Sequence, residues 1–176
     1  MIIIALVSPT GGAGRTSLAI AAASHLSMLG RKVTLVQTDP VNNIEFQLGY
    51  TASSAQGLAQ VILQTNTLDH AIKTTEAGYK LLPFGQTSIA QQVAIDQVLT
   101  SKPERLVEIF QHPLFEDDSV VIVDLPRWPA SWSQQIMALS DLNLVTLVPD
   151  SSAILGIDAL LPYLLESRGA SYFLMN

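Results

Sequence analysis

The chain has 176 residues, of which 48% are hydrophobic and 14% are charged, with no cysteine and a formal net charge of −6. This composition excludes an intrinsically disordered chain, because such chains lack the apolar surface that offsets ordering entropy, and it excludes thiolate metal sites and catalytic thiols. The acidic balance, without a basic cluster, also argues against a nucleic-acid binder, because duplex affinity comes largely from Lys and Arg. A single domain over residues 1–176 is therefore predicted.

The N-terminal segment predicts a strand, a turn and a helix. Ile2–Val7 is a β-branched and aliphatic run, too short for a helix, that suits a strand covered on both faces. It lacks the charged flank of a signal peptide, and no run approaches the roughly 18 apolar residues of a membrane span, so we expect a cytoplasmic protein. Apolar residues at helical spacing, from Leu18 to Leu29, predict a helix over 16–29 that ends at Gly30.

The rest of the chain continues this alternation. A second buried strand is predicted over 33–36, and the polar segment 38–56 predicts a long loop of the kind that carries function. Helices are predicted at 58–63, 68–73, 131–139 and 153–166, with a pair over 88–110 that breaks at 101–102, and strands at 79–84, 120–123, 142–148 and 172–175. The pattern predicts an α/β three-layer fold, a mostly parallel sheet with helices on both faces.

The turn after the first strand has the features of a phosphate-binding loop. Residues 8–17 read Ser-Pro-Thr-Gly-Gly-Ala-Gly-Arg-Thr-Ser and lie at a carboxyl strand end, where ligands bind in α/β folds. Glycines let backbone N–H groups approach an anion, and the following helix supplies its positive N-terminal end. A complete P-loop reads G-x-x-x-x-G-K-[ST]; here Pro9 holds the first glycine position and Arg15 the lysine position, so only Gly14 and Thr16 remain.

Two other interpretations of this turn stay open at this point. A glycine-rich turn also lets the first helix pack close to the sheet without binding any ligand. A dinucleotide site would place Gly11, Gly12 and Gly14 near a pyrophosphate and Asp39 on a ribose, although the glycine spacing does not match G-x-G-x-x-G.

An acidic residue at a later strand end favours the P-loop interpretation, and a second acidic residue is a candidate for the same site. Asp124 follows the apolar run 120–123 and is a candidate to orient a Mg²⁺ shell beside Thr16, a residue that a dinucleotide site does not need. Asp39, just before Pro40, is a candidate to position a water or a metal ion. Each has a structural alternative, namely a strand-end turn for Asp124 and an Asx turn for Asp39.

Four motifs in order resemble the deviant P-loop family of MinD, ParA and related ATPases. Residues 10–17 are similar to its signature K-G-G-x-G-K-T-T, 38–43 to D-P-Q-x-N, 124–126 to D-x-P and 147–150 to V-x-P-E. Two further segments, 81–89 and 122–127, resemble L-L-P-F-G-Q-x-S-I and I-x-D-L-P-R of the BcsQ (YhjQ) family, MinD-like proteins of bacterial cellulose synthase operons. The resemblance implies a MinD/ParA-like P-loop NTPase fold.

The resemblance also implies ATP and Mg²⁺ as cofactors and assigns roles to single residues. Thr16, Asp39 and Asp124 match the positions that serve the metal, and Asp39 and Asp124 the catalytic positions. An Asn after the late strand often recognises adenine in the resembling proteins, and Asn176 matches it. The nucleotide-binding residues carried over from the family are Thr10, Gly11, Gly12, Ala13, Gly14, Arg15, Thr16, Ser17 and Asn176.

Two departures from the signature bear on catalysis. Arg15 keeps the charge of the family lysine that bridges the β and γ phosphates, but its planar fork is longer and is not a geometric substitute. Thr10 replaces the signature lysine that reaches the partner's nucleotide across a dimer, and an uncharged side chain cannot stabilise transition-state charge. Hydrolysis is therefore expected to be slow or absent unless another cation serves, and Arg127 is the candidate, its alternative being a solvated arginine.

The resemblance further implies a homodimer that assists assembly, placement or regulation of a cellulose secretion system, with protein partners, no nucleic acid, and membrane contact only through recruitment to the inner membrane or cell pole. A non-catalytic scaffold of the same fold is the alternative, and an NAD(P)-binding enzyme a more remote one. Because the resembling proteins continue past the position of Asn176, the chain resembles one that stops early.

Two other features are interpreted without a ligand. The acidic run 116–118 favours a solvated turn over a metal site. Trp128 and Trp132 flank Pro129 and suit either an interface, where aromatic residues concentrate, or local packing.

Overall fold

A computed structural model describes residues 1–41, 43–115, 119–130 and 132–176. Within these ranges a seven-stranded sheet has the order β3-β4-β2-β5-β1-β6-β7, and every neighbouring pair is parallel except β3 with β4. The strands are β1 (Ile2–Val7), β2 (Val33–Gln37), β3 (Lys73–Thr74), β4 (Lys80–Leu82), β5 (Val120–Asp124), β6 (Leu142–Leu147) and β7 (Ala170–Met175).

Helices cover both faces of this sheet. They are α1 (Arg15–Met28), α2 (Asn43–Gln47), α3 (Leu58–Ile62), α4 (Leu68–Ala71), α5 (Ile89–Ser101), α6 (Glu104–Phe110), α7 (Ser133–Leu139) and α8 (Ser151–Glu166). One core layer joins α1 and α2 to the sheet, and a larger layer on the other face joins α3 to α8. Neighbouring strand residues alternate between the layers, as Leu35 and Val36 do. The predicted α/β three-layer fold is confirmed.

Two short elements correct the prediction. The segment predicted as a loop over 38–56 contains the helix α2, on which Ile44 is fully buried, and Gly49 follows it with a φ of 85°. The predicted helix over 68–73 ends at Ala71, and Lys73 belongs to the edge strand β3. Both elements are too short to show a hydrophobic period, so the sequence carried no signal for them.

The predicted apolar stripe of α1 is confirmed except at its end. Leu18, Ala22 and Leu26 are partly buried against the core beside the buried Thr16, Ala19 and Ala23, whereas Leu29 is 64% exposed. Small side chains on the buried face let the helix backbone lie close to the sheet. The helix thus begins directly over the strand ends, which is the position that the preceding loop requires.

The aromatic pair after β5 packs inside the protein. Trp128 and Trp132 are both buried; the ring of Trp128 lies 4.8 Å from that of Tyr163 and the ring of Trp132 lies 6.2 Å from that of Phe84. Local packing is therefore the role that the structure supports for both tryptophans. The acidic run 116–118 lies outside the described residues.

Across the described part of the chain, no helix combines the length and the apolarity needed to cross a bilayer.

A buried ion pair fixes the segment that follows α2. The Glu45 carboxylate, on α2, is fully buried and accepts hydrogen bonds from Lys73 Nζ on β3, from the Ser54 N–H at 2.9 Å and from the Ser54 hydroxyl at 2.7 Å. The ammonium group of Lys73 also lies 4.1 Å from the centre of the Tyr50 ring. Burial alone would raise the pKa of Glu45, but the hydrogen bonds from Lys73 and Ser54 outweigh it and lower that pKa.

We predict that Glu45→Gln lowers the free energy of unfolding at pH 7 by about 2 kcal/mol, because it removes the charged acceptor while keeping the shape. A carboxylate with a lowered pKa stabilises the fold above its unfolded pKa and loses that contribution as the pH falls through its folded pKa. The stability of the unchanged chain should therefore decline between roughly pH 5 and pH 3 more steeply than that of the variant. Denaturant unfolding followed by circular dichroism at each pH measures this.

The matched control is Glu108→Gln, which removes an exposed carboxylate paired with Arg105 three residues away. An exposed pair contributes about 0.5 kcal/mol or less, so this variant should follow the unchanged chain. Equal losses in the two variants would contradict the role given to Glu45.

Candidate functional site

Three loops meet at one edge of the sheet because their strands are neighbours. β5 lies between β1 and β2, with Asp124 in register with Leu6 on one side and Gln37 on the other. Since all three strands are parallel, the segments after Val7, Gln37 and Asp124 leave the sheet on the same side. This topology alone brings the loop at residues 8–17 next to Asp39 and Asp124.

The loop between β1 and α1 is shaped by two left-handed glycines. Gly12 and Gly14 have φ values of 75° and 73°, a conformation that L side chains rarely adopt. The Leu18 N–H donates to the Gly14 carbonyl at 2.8 Å as α1 begins, so the N–H groups of residues 15–17 precede the helical hydrogen bonds. Next to these groups lies a cavity of about 340 Å³, lined by residues 10–17 together with Asp39, Asn43, Gln47 and Arg127.

Four side chains form a hydrogen-bonded cluster at this edge of the sheet, namely Thr16, Asp124, Arg15 and Asp39. The Thr16 hydroxyl donates to Asp124 Oδ2 at 2.8 Å, and Arg15 Nε donates to Asp124 Oδ1 at 2.8 Å. Arg15 Nη2 donates to Asp39 Oδ2 at 3.3 Å. The structure thus brings together the residues predicted to serve a metal ion, and it places Arg15 between their carboxylates.

Burial dominates the electrostatics of Asp124. Its side chain has no exposed surface, and desolvation raises its pKa, although the charge of Arg15 and the hydrogen bonds from Arg15 and Thr16 oppose that rise. The Asp124 carbonyl also accepts from the Thr38 N–H at 3.1 Å and from the Thr38 hydroxyl at 2.7 Å. The residue therefore ties β5 to both the phosphate loop and the segment after β2.

Asp39 forms the predicted Asx turn and also belongs to the cluster of charged side chains at the site. Its Oδ1 accepts the Val41 N–H at 3.0 Å, which is the Asx turn before Pro40, while its Oδ2 receives Arg15. The turn thus holds the carboxylate at the edge of the cavity, which Asp39 lines.

Thr10 and Arg127 border the cavity from the other side. Thr10 is buried, and its Oγ1 has no hydrogen-bond partner among the described residues. The Ser8 hydroxyl lies 2.8 Å from the carbonyl oxygens of both Thr10 and Thr146, so its single proton holds the loop by a bond to either of them. Arg127 Nε lies 3.4 Å from the Pro9 carbonyl, and Arg127 and Arg15 are the two cations among the described residues that line the cavity.

The helix α8 packs directly on the start of the loop. Gly156 of α8 faces Pro9 so closely that a Cβ on Gly156 would clash with the proline ring. Pro9 is the residue that replaces the first glycine of a complete P-loop. The bulk that this replacement adds is thus accommodated by a glycine on the neighbouring helix.

Asn176 lies beside the last glycine of the loop. Its backbone N–H donates to the Leu147 carbonyl at 2.9 Å, which extends the pairing of β7 with β6. Its side-chain Nδ2 lies 2.6 Å from the position that a Cβ on Gly14 would occupy. Asn176 therefore borders the loop, although it does not line the cavity with the residues named above.

Two cavity residues received no role from the sequence. Asn43 and Gln47 lie one helical turn apart on α2, so both face the cavity. Gln37 Nε2 donates to Asn43 Oδ1 at 3.1 Å, and the Ser17 hydroxyl lies 3.4 Å from Gln47 Oε1. Asn43 belongs to the motif at 38–43, but Gln47 had no signal, because its segment was predicted as a loop.

Known proteins resemble the chain in both sequence and structure. It is 28% identical over 152 residues to the cellulose biosynthesis protein BcsQ of Escherichia coli, covering 86% of this chain and 61% of the relative. It is 28% identical over 165 residues to the chromosome-partitioning ATPase Soj of Thermus thermophilus, covering 94% of this chain and 62% of that protein. The chain thus spans about 60% of the length of these relatives.

The fold matches that of a solved relative. The septum site-determining protein MinD of Pyrococcus horikoshii, determined in complex with Mg-ADP, superposes with a TM-score of 0.80 at 23% identity, over 99% of this chain and 70% of that one. The mostly parallel sheet is therefore that of the MinD/ParA P-loop NTPases. The profile of the family described as cellulose biosynthesis protein BcsQ matches residues 1–161. The chain belongs to this family, within the MinD/ParA superfamily.

Proposed function

We propose that the chain is a nucleotide-binding switch that assists a bacterial cellulose synthesis and secretion system. ATP binds at residues 10–17, and Asn176 contacts the base beside Gly14. The observation that carries this proposal is the loop with two left-handed glycines over a helix N-terminus, with the Thr16 hydroxyl bonded to a buried Asp124 beneath it. Backbone N–H groups at such a loop bind phosphate.

The residues present fit a magnesium ion. Thr16 and Asp39 line the cavity, the Thr16 hydroxyl keeps its lone pairs when it donates to Asp124, and Asp39 Oδ2 would take the ion in place of Arg15. Hydroxyl and carboxylate oxygens are the ligands that Mg²⁺ prefers, and it is usually completed by nucleotide phosphates. Thr16, Asp39 and Asp124 would hold the ion, which supplies charge neutralisation to the phosphates when bound.

We predict that Thr16→Val lowers the affinity for ATP in the presence of Mg²⁺ by at least about tenfold, because valine keeps the shape but removes the hydroxyl. Calorimetric titration of the purified chain measures the affinity, and circular dichroism verifies the fold of each variant. Thr100→Val on the exposed side of α5 makes the same chemical change away from the cavity and should leave the affinity unaltered. Equal affinities for both variants, or no heat with the unchanged chain, would contradict nucleotide binding at this loop.

We propose that the chain hydrolyses ATP slowly or not at all. The position of the family's dimer-crossing lysine holds the uncharged Thr10, and Arg15 pairs with carboxylates. Charge stabilisation by such a cation accelerates phosphoryl transfer by about 10³ to 10⁵. Arg127 at the entrance of the cavity is the remaining cation for a catalytic role beside Asp39 and Asp124.

We predict that Thr10→Lys raises the steady-state ATPase rate at least tenfold, because it restores a cation to a position that lines the cavity. Release of inorganic phosphate is measured at saturating ATP and Mg²⁺. Thr10→Met adds comparable bulk without charge and should leave the rate at its basal value. A rate that is equal in the two variants would show that the missing cation does not limit hydrolysis.

Nucleotide binding biases the chain towards a homodimer, because interactions that the nucleotide makes only within the closed pair shift a two-state equilibrium towards that pair. The dimer is recognised by a protein component of the cellulose system, through which any contact with the membrane or cell pole is made. The net charge of −6 supports a protein partner over nucleic acid.

A scaffold that keeps the fold without using nucleotide is the second candidate. The observation that favours it is the occupation of both metal-serving carboxylates by Arg15. The titration above separates the two, since a scaffold folds normally and gives no heat with ATP. The NAD(P)-binding alternative is the least favoured, because the glycine spacing of the loop does not match G-x-G-x-x-G.

A further inference from the structure

The guanidinium of Arg15 lies between the two carboxylates of the site. Nε is 2.8 Å from Asp124 Oδ1, and Nη2 is 3.3 Å from Asp39 Oδ2. The three side chains are 11%, 0% and 16% exposed for Arg15, Asp124 and Asp39. The cation is therefore held away from bulk water, and its charge balances two carboxylates that solvent screens poorly.

Every oxygen of these two carboxylates accepts a hydrogen bond without a metal ion. Asp124 receives Thr16 on one oxygen and Arg15 on the other, and Asp39 receives the Val41 N–H on one oxygen and Arg15 on the other. Removing one partner of a buried pair leaves an uncompensated charge, which is strongly unfavourable. Departure of Arg15 from this position is therefore favoured when another cation replaces it at the carboxylates.

The chemistry of arginine explains why it bridges the pair. A guanidinium offers several N–H donors in a rigid plane, so two of its nitrogens reach two different carboxylates at once, whereas the single nitrogen of lysine is a point charge. The residue that departs from the P-loop signature is thus the one that connects Asp39 to Asp124.

We propose that Arg15 is the resident cation of the Asp39 and Asp124 pair in the nucleotide-free protein, and that it excludes divalent metal ions from these carboxylates. The guanidinium and a metal ion are alternative occupants of one position. Nucleotide phosphates draw Arg15 away and so permit the metal to bind, which makes metal binding conditional on nucleotide. This last step rests on the proposed function, whereas the exclusion of metal by Arg15 does not.

The test measures metal binding by the full chain without nucleotide. Mn²⁺, which takes the same oxygen ligands as Mg²⁺, is titrated and its free concentration followed by electron paramagnetic resonance, with the melting temperature recorded in parallel. We expect Arg15→Met to bind one Mn²⁺ at least tenfold more tightly than the unchanged chain and to gain thermal stability from it. The double variant Arg15→Met with Asp124→Asn should lose that gain.

Three results would overturn the proposal. They are Mn²⁺ binding by the unchanged chain as tight as that of Arg15→Met, no gain in Arg15→Met, or a gain that persists in the double variant. If Arg15→Met does not fold, Arg15→Lys decides, because an ammonium group keeps the charge but lacks the planar fork whose separate nitrogens reach Asp39 and Asp124, and an intermediate gain of Mn²⁺ affinity is expected. Since the titration contains no nucleotide, its results can be interpreted even if the chain does not bind ATP.

Discussion

A carboxylate without exposed surface has to be satisfied where it lies, and the site is organised around that requirement. Asp124 ends the strand between β1 and β2, so its partners come from the segments on both sides. Thr16 and Arg15 bond its side chain from the start of α1, and Thr38 bonds its carbonyl from the end of β2. The phosphate loop and the Asp39 segment are therefore held in position by the same residue.

The parts of the fold that follow from side-chain burial were predictable from the sequence. Ile2–Val7 and Val120–Asp124 are continuous apolar runs because both faces of these strands are covered, and the predicted bounds of the first agree with the structure. A single helical turn such as α2 and a two-residue strand such as β3 have no period to detect. The Glu45 and Lys73 pair joins these two elements and is a contact between distant segments.

The sequence predicted which residues lie near one another in the candidate site, but it did not predict which of them form hydrogen bonds. Parallel strands bring the loop at 8–17, Asp39 and Asp124 to one edge, so their spacing in sequence and the βα order were enough to group them. The orientation of Arg15 towards carboxylates rather than towards the loop backbone depends on the burial of Asp124, which a sequence motif does not encode. Gln47 lines the cavity because it lies on the helix α2, which the sequence did not predict.

The contact between Pro9 and Gly156 makes two distant positions a single steric unit. A glycine at position 9 would leave room for a side chain on α8, whereas the proline that is present requires a residue without a Cβ at position 156. The two positions are therefore expected to covary among proteins that share this loop. Through the same contact, a displacement of Pro9 towards α8 is blocked unless the helix moves as well, although no residue of α8 is among those that line the cavity.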